Sequence, residues 1–298
     1  MEYKGKEVVL MACSSCNIKR CKHCYISYNG DRDPKELKNL AHFLKSKKYE
    51  VYINGSEVLI DHNYLKSFYE CRQDWILTNG YAIYKDDAVL PLLKENGIEI
   101  IEMSYHFGIQ DKISAVDKII LEQTIRKISA NGFKLKLLVT INSDNYDKIL
   151  DMCNQAIEIG AYGIEFTLFL NQGSAMNMDL NNMLNDEQKL KFFDQLRQAR
   201  KNIDKNTLVI DRSGIFGKDI NNKNCHFKCP AGKNLVVITP DNNVYPCMFL
   251  AKKGFEIGHV VDNKIHIDYN IINDGDRCLA YEVCNRGNID AFNQLIGR

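Results

Sequence analysis

The sequence has no long hydrophobic run. Nowhere do uninterrupted apolar residues approach the roughly 18 needed to cross a bilayer, which argues against a membrane-spanning helix. It carries almost no net charge: 39 Lys plus Arg face 38 Asp plus Glu, for +1. A broad electrostatic attraction to nucleic acid or to an anionic membrane is therefore not expected. A secretory signature is missing too, because the short apolar run in MEYKGKEVVLMACSS leads straight into cysteines, with no longer hydrophobic region and no small-residue cleavage site. There is no solenoid-type repeat and no low-complexity tract. These absences point to a cytoplasmic globular protein without nucleic-acid or membrane partners. With 298 residues and 45% hydrophobic content, the chain can form one large domain with a smaller appendage, or two ordinary domains.

Cysteine is plentiful, with eleven in the chain, most of them near its two ends. In a reducing compartment such clusters suggest metal or redox chemistry rather than a disulfide framework. Four fall in CSSCNIKRCKHCYIS, residues 13–27. Three thiolates on one loop can bind an iron–sulfur cluster or zinc, and zinc would need a fourth ligand from Cys13 or His23. Five more, Cys225, Cys229, Cys247, Cys278 and Cys284, populate the last quarter. Cys71 and Cys153 stand singly in helical segments and read as small buried hydrophobes.

Between the clusters, short apolar or β-branched runs alternate with segments of helical period. The expected strands are 7–12, 50–54, 75–79, 98–105, 133–142 and 162–170, with helices near 34–47, 61–71, 86–96, 116–131 and 145–159. Strict alternation argues for parallel βαβ units, hence an α/β partial (β/α)6 barrel with its site at the C-terminal ends of the strands. A helix from about 185 to 200 closes this part. The texture then changes to LVID (208–211), a Gly- and Asn-rich loop, and NLVVITPDNNVYPCMFL, which reads as a β-hairpin. The expected division is a barrel over 1–205 and a small cysteine-rich α+β domain over 206–298, with little core of its own and dependent on its metal for stability.

The stretch CNIKRCKHCY, Cys16 to Tyr25, resembles the cluster loop of radical S-adenosylmethionine (SAM) enzymes, although its C-x4-C-x2-C spacing is one residue longer than the family's usual C-x3-C-x2-C. Gly55-Ser56-Glu57 is similar to the family's GGEP segment, and Thr78-Asn79-Gly80 repeats its TNG. Met103-Ser104-Tyr105-His106-Phe107-Gly108 stands where the family has a strand ending in Ser-x-Asp-Gly, and Val139-Thr140-Ile141-Asn142 is similar to its fifth strand. The resemblance implies a SAM-binding [4Fe-4S] cluster on Cys16, Cys21 and Cys24. An open iron would chelate SAM and, on reduction, release a 5′-deoxyadenosyl radical. It further implies that Glu57 accepts the methionyl amine, that Ser104 and Asn142 face the carboxylate or ribose, and that Tyr25 and Phe166 flank the adenine. Ser104 and Asn142 can equally be strand-end caps.

In the last quarter, Cys229-Pro230-Ala231-Gly232 and the run from Val237 to Cys247 resemble the opening of the SPASM and twitch domains of that superfamily. This implies a second, auxiliary [4Fe-4S] cluster on Cys229, Cys247, Cys278 and Cys284, of the shorter twitch type. Cys225 is then left over as a free thiol beside a cluster ligand. One auxiliary cluster and one spare thiol match a peptide epimerase, in which Cys225 returns a hydrogen atom to the substrate radical and Asp211 contacts the substrate. The implied partners are a ribosomally made precursor peptide and an electron donor such as flavodoxin or ferredoxin. The alternatives are a twitch-type dehydrogenase of a peptide residue or sugar alcohol and, from another class, a non-catalytic zinc-stabilised binding protein.

Overall fold

The computed structural model describes residues 1–19, 21–212, 229–269, 278–285 and 289–296. The chain runs β1 (Glu7–Met11), α1 (Pro34–Ser46), β2 (Glu50–Asn54), α2 (Leu65–Cys71), β3 (Trp75–Thr78), α3 (Tyr81–Lys85), α4 (Val89–Glu95), β4 (Ile100–Ser104), α5 (Gln110–Ile113), α6 (Lys118–Ala130), β5 (Lys134–Ile141), α7 (Ile149–Ile159), β6 (Gly163–Leu168), α8 (Asp186–Asn202) and β7 (Val209–Arg212). The strands β8 (Leu235–Ile238), β9 (Asn243–Tyr245), β10 (Gly258–Val261) and β11 (Lys264–Ile267) follow, then α9 (Leu279–Asn285) and α10 (Ile289–Ile296). The α/β alternation expected from the sequence is present. Local chemistry sets its boundaries: Asp33 caps α1 by accepting from the N–H groups of Lys35 and Glu36 ahead of Pro34, and Asn185 and Gln188 form a capping box on α8.

Among the described residues the strands form two sheets. One is fully parallel, in the order β3-β4-β5-β6-β7. Its strands alternate with period two. Ile76, Ile101, Met103, Leu135, Leu137, Ile164 and Phe166 are buried to within 2% on one face, where α6 packs on β5 and α7 on β6. The other face carries Leu77, Glu102, Ser104, Lys136, Leu138, Thr140, Glu165 and Thr167, all half-buried.

The second sheet has the order β11-β10-β9-β8-β1-β2. Here β1 lies parallel to both β2 and β8, and β8 through β11 are antiparallel neighbours. The expected hairpin of β8 and β9 is thus hydrogen-bonded to the first strand of the barrel. Residues 1–3 run along β11: the Tyr3 N–H donates to Ile265 O at 3.2 Å, and the Ile267 N–H to Met1 O at 2.6 Å. The chain then crosses to β8, where the Glu7 N–H donates to Asn234 O at 2.8 Å.

No backbone pairing joins β2 to β3 among the described residues. A side chain takes that place. Gln73 is buried and accepts from the Ile53 N–H at 2.7 Å, while its amide NH2 donates to the carbonyls of Ile53 and Trp75, each at 3.0 Å. One amide therefore does for Ile53 what a neighbouring strand residue would do. Gln73→Leu, similar in size, leaves the Ile53 N–H and C=O unpaired in a dry seam. It should lower unfolding stability by about 3 kcal/mol in urea titrations, with unchanged secondary structure by circular dichroism.

Candidate active site

The C-terminal ends of the parallel strands open on a cavity of about 720 Å³, a size that suits a small cofactor and part of a substrate. Its wall nearest β1 is the loop carrying Cys16, Cys21 and Cys24, all three of which line it. Two of these sulfurs receive hydrogen bonds: Asn79 Nδ2 donates to Cys16 Sγ at 3.4 Å, and the Ala115 N–H donates to Cys21 Sγ at 3.2 Å. Burial raises the Cys16 and Cys21 thiols, and the three sulfurs lie within electrostatic reach of one another, Cys16 of Cys21 and Cys21 of Cys24.

The loop is braced from across the barrel. Gly173 sits at φ +61°, and a Cβ there would come within 2.5 Å of Cys24 O and 2.7 Å of the Tyr25 carbonyl carbon. Only glycine tolerates both the left-handed backbone and that approach. Next to it, the Ser174 N–H donates to Cys24 O at 2.8 Å. Cys13 does not line the cavity. It is fully buried in the core, its thiol faces Glu57 O at 3.5 Å, and burial pushes its pKa up to about 11.

Of the other residues expected at the site, Tyr25 and Ser104 line the cavity. The Tyr25 ring packs on Phe249 with centroids 4.8 Å apart, and its hydroxyl donates to Met248 Sδ at 3.4 Å. Glu57 lies behind the wall with no exposed surface. Its carboxylate accepts from Thr78 Oγ1 at 2.9 Å, from the Asn79 N–H at 2.7 Å and from the Leu59 N–H at 3.3 Å. Burial raises its pKa to about 7 against these three donors. Asn142 is buried and turned to its own loop, accepting from the Asp144 N–H at 2.9 Å and donating to Asn182 Oδ1 at 3.3 Å. Phe166 points the opposite way, into the helix layer, with its ring 6.3 Å from that of Phe192. Asp211 is paired with Lys136 at 3.1 Å on the inner face of the sheet. Cys225 lies outside the described residues.

Further cavity residues come from the inner face of the sheet. Glu102 and Glu165 line the cavity and flank Lys136, at 3.3 and 2.8 Å from its ammonium. Burial raises the Glu102 carboxyl despite that ammonium. Burial also works against the charge of Lys136, but Glu102, Glu165 and Asp211 outweigh it and hold Lys136 above its ordinary range. His106 lines the same cavity with its ring edge-on to His23, centroids 4.4 Å apart. The Thr140 N–H donates to His106 Nδ1 at 3.1 Å, and burial and the neighbouring His23 push His106 well below its ordinary pKa. The ring is therefore neutral with its proton on Nε2, and among the described residues nothing accepts that proton.

Of the C-terminal cysteines, Cys247 directly precedes Met248 and Phe249, both of which line the cavity. Cys229, Cys278 and Cys284 are buried. Cys247 is pushed well above its ordinary pKa by burial and then by Cys278 and Cys229, so these three sulfurs share one neighbourhood. Cys284 stands on another contact. Its thiol donates to Gln172 Oε1 at 3.2 Å, and Gln172 Nε2 in turn donates to Phe249 O.

These donor sets can be compared with the groups they might hold. A single zinc ion needs sulfurs about 3.8 Å apart, and among the described residues no three His, Cys, Asp or Glu groups stand close enough to hold one ion. Three thiols on one loop that lines the cavity, two of them already receiving N–H donors, fit an iron–sulfur cluster.

No family model matches the sequence, and neither does any curated protein. Solved structures do match in fold. Streptococcus suis SuiB bound to S-adenosylmethionine superposes with a TM-score of 0.64 at 16% identity, over 84% of this chain and 62% of SuiB. The protein anSMEcpe with bound AdoMet and the Kp18Cys peptide gives 0.62 at 17% identity, over 86% of this chain and 78% of that one. Its complex with the Cp18Cys peptide gives 0.61 at 15% identity, over 99% and 83%. The chain thus spans about three fifths of the SuiB structure and has the fold of proteins solved with S-adenosylmethionine bound.

Glu57 makes the pH dependence of stability testable. Its folded pKa of about 7 lies above the ordinary 4.5, so the unfolded chain ionises first and stability from this group falls as pH rises from 4.5 through 7, by about 3 kcal/mol in all. Urea titrations of Glu57→Gln and of the parent should therefore move apart by that amount between about pH 4.5 and pH 8, in favour of the variant.

Proposed function

We propose that the chain is a radical SAM enzyme that modifies a ribosomally made peptide, and that the modification is epimerisation of a residue from L to D. The observation that carries the reading is the convergence of Cys16, Cys21 and Cys24 with Tyr25 and Ser104 on one cavity, in a fold shared with proteins that bind S-adenosylmethionine. In this reading Cys16, Cys21 and Cys24 hold a [4Fe-4S] cluster, and Tyr25 and Ser104 face the bound S-adenosylmethionine. Together the two groups supply a 5′-deoxyadenosyl radical, able to take a hydrogen atom from a substrate Cα. Glu57 lies one layer out. By holding the Asn79 N–H it fixes the side chain that donates to Cys16 and Asn17. Leu168, Phe169, Leu170 and Phe249 give the cavity an apolar wall, which keeps water from a reactive carbon.

Residues 206–298 are proposed as a twitch-type unit, with an auxiliary [4Fe-4S] cluster on Cys229, Cys247, Cys278 and Cys284. Cys284 joins the set by exchanging its bond to Gln172. Cys225 is proposed to return a hydrogen atom to the opposite face of the substrate carbon. A precursor peptide and a low-potential reductant such as flavodoxin or ferredoxin complete the system. The peptide in the anSMEcpe complexes supports the substrate class.

Two measurements test this. Anaerobically purified protein should be brown, and Cys16→Ala, Cys21→Ala or Cys24→Ala should each cut its iron content by about the share of one cluster, while Cys13→Ala leaves it intact. A colourless, zinc-loaded protein would point instead to a binding protein. In deuterated water with reductant and S-adenosylmethionine, the peptide product should gain one solvent deuterium with no change of oxidation state. A product two hydrogens lighter would replace the epimerase with a dehydrogenase, and undiminished epimerisation by Cys225→Ala would remove Cys225 as the hydrogen donor.

A further inference from the structure

Two donors from outside the cysteine loop reach into it, one following β3 and one following α5. The first is the side chain of Asn79. Its Oδ1 accepts from the Tyr81 N–H at 2.8 Å, where α3 begins. A backbone N–H can only donate, so this contact fixes which way the amide is turned. The amide nitrogen therefore faces the loop, where it donates to Asn17 Oδ1 at 2.9 Å and to Cys16 Sγ at 3.4 Å. The backbone of Asn79 is held as well, since its N–H donates to Glu57 Oε2 at 2.7 Å.

The second donor is a backbone group. The Ala115 N–H donates to Cys21 Sγ at 3.2 Å, and the segment that carries it is tied to the loop by the Lys22 N–H, which donates to Ile113 O at 2.9 Å. Ser114 Oγ accepts from the Val116 N–H at 3.1 Å and stands 3.8 Å from Cys21 Sγ, so its own hydrogen can turn to the same sulfur. A neutral thiol is a weak acceptor, whereas a thiolate on iron carries negative charge and draws N–H donors strongly. Reduction adds to that charge. Donors whose positions are fixed by the barrel backbone thus stabilise the reduced form more than the oxidised one, and hydrogen bonds to the sulfurs raise the reduction potential.

We propose that Asn79 Nδ2 and the Ala115 N–H are positioning donors that tune the cluster held by Cys16, Cys21 and Cys24, each making it easier to reduce. This rests on the reading of those cysteines as cluster ligands and names the groups outside the loop that act on them. The step favoured is the transfer of one electron from a low-potential flavin or iron–sulfur protein, with no bond made or broken. Asn79 and Ala115 act through Cys16 and Cys21, on different sulfurs, so each can be removed separately.

The test is a dithionite titration of the anaerobically purified full chain, followed by electron paramagnetic resonance without S-adenosylmethionine; the signal missing from Cys16→Ala is the one to follow. Asn79→Ser keeps an oxygen that can accept from the Tyr81 N–H, but its shorter side chain has no N–H to offer Cys16. Ala115→Pro removes the other donor, and Ser114 already lies at φ −96° and ψ 152°, the region that a following proline requires. Each variant should shift the reduction equilibrium about tenfold toward the oxidised form, a midpoint about 59 mV lower for a one-electron couple, with iron content unchanged. A midpoint equal to or above that of the parent in Asn79→Ser, or a loss of iron with the midpoint of the remaining clusters unmoved, would overturn the proposal. If Asn79→Ser holds no iron at all, the midpoint of Ala115→Pro decides by the same criterion. A parent without iron would overturn the cluster reading itself, so the two failures are told apart.

Discussion

The barrel depends on a seam that backbone hydrogen bonds do not close. Between β2 and β3 the parallel ladder stops, and two buried side chains carry the joint. Gln73 satisfies Ile53 halfway along the seam, and Glu57, at the end of β2, reaches Thr78 and the Asn79 N–H at the end of β3. The two differ in kind. Gln73 is a neutral amide with its donors and acceptor all used, which suits a dry interior. Glu57 is a carboxylate in a site with no exposed surface, so it closes the seam at an electrostatic cost. That cost falls at the point where Asn79 turns toward Cys16.

The same sheet separates support from chemistry by its two-residue period. Its helix-facing side is aliphatic and aromatic, and its inner side sets charged groups beside one another on neighbouring strands: Glu102 stands in register with Lys136, and Glu165 with Asp211. Shifting any strand by one residue would exchange the two sides. The hydrophobic packing that stabilises the barrel therefore also fixes which groups meet in the cavity.

Much of this was legible in the sequence. The run EVYIN is β2 to the residue, β1 and β3 to β6 fall within the segments that their β-branched runs mark, and β7 runs one residue past LVID. The cysteine loop was legible because thiols crowd into so few positions. The direction of individual side chains was harder. The family resemblance implies cofactor contacts for Phe166 and Asn142, yet Phe166 stands on the helix-facing phase of β6, and Asn142 turns back to its own loop. A signal for the inner face was nonetheless present, since Glu102 and Glu165 each put the one charge into an otherwise uncharged strand, where burial is tolerated only with partners. His106 gave no such signal, because its tautomer is set by the Thr140 N–H, a contact made only in three dimensions.

The close fit between Gly173 and the backbone of Cys24 to Ile26 has a consequence for the order of assembly. The two segments are separated by about 150 residues of chain, and contacts of such long range form late in folding. The cysteine loop cannot settle onto its brace until β6 has joined the sheet. Any group that requires its three thiols in one arrangement is thus admitted only after most of the barrel exists, so that maturation follows folding instead of guiding it.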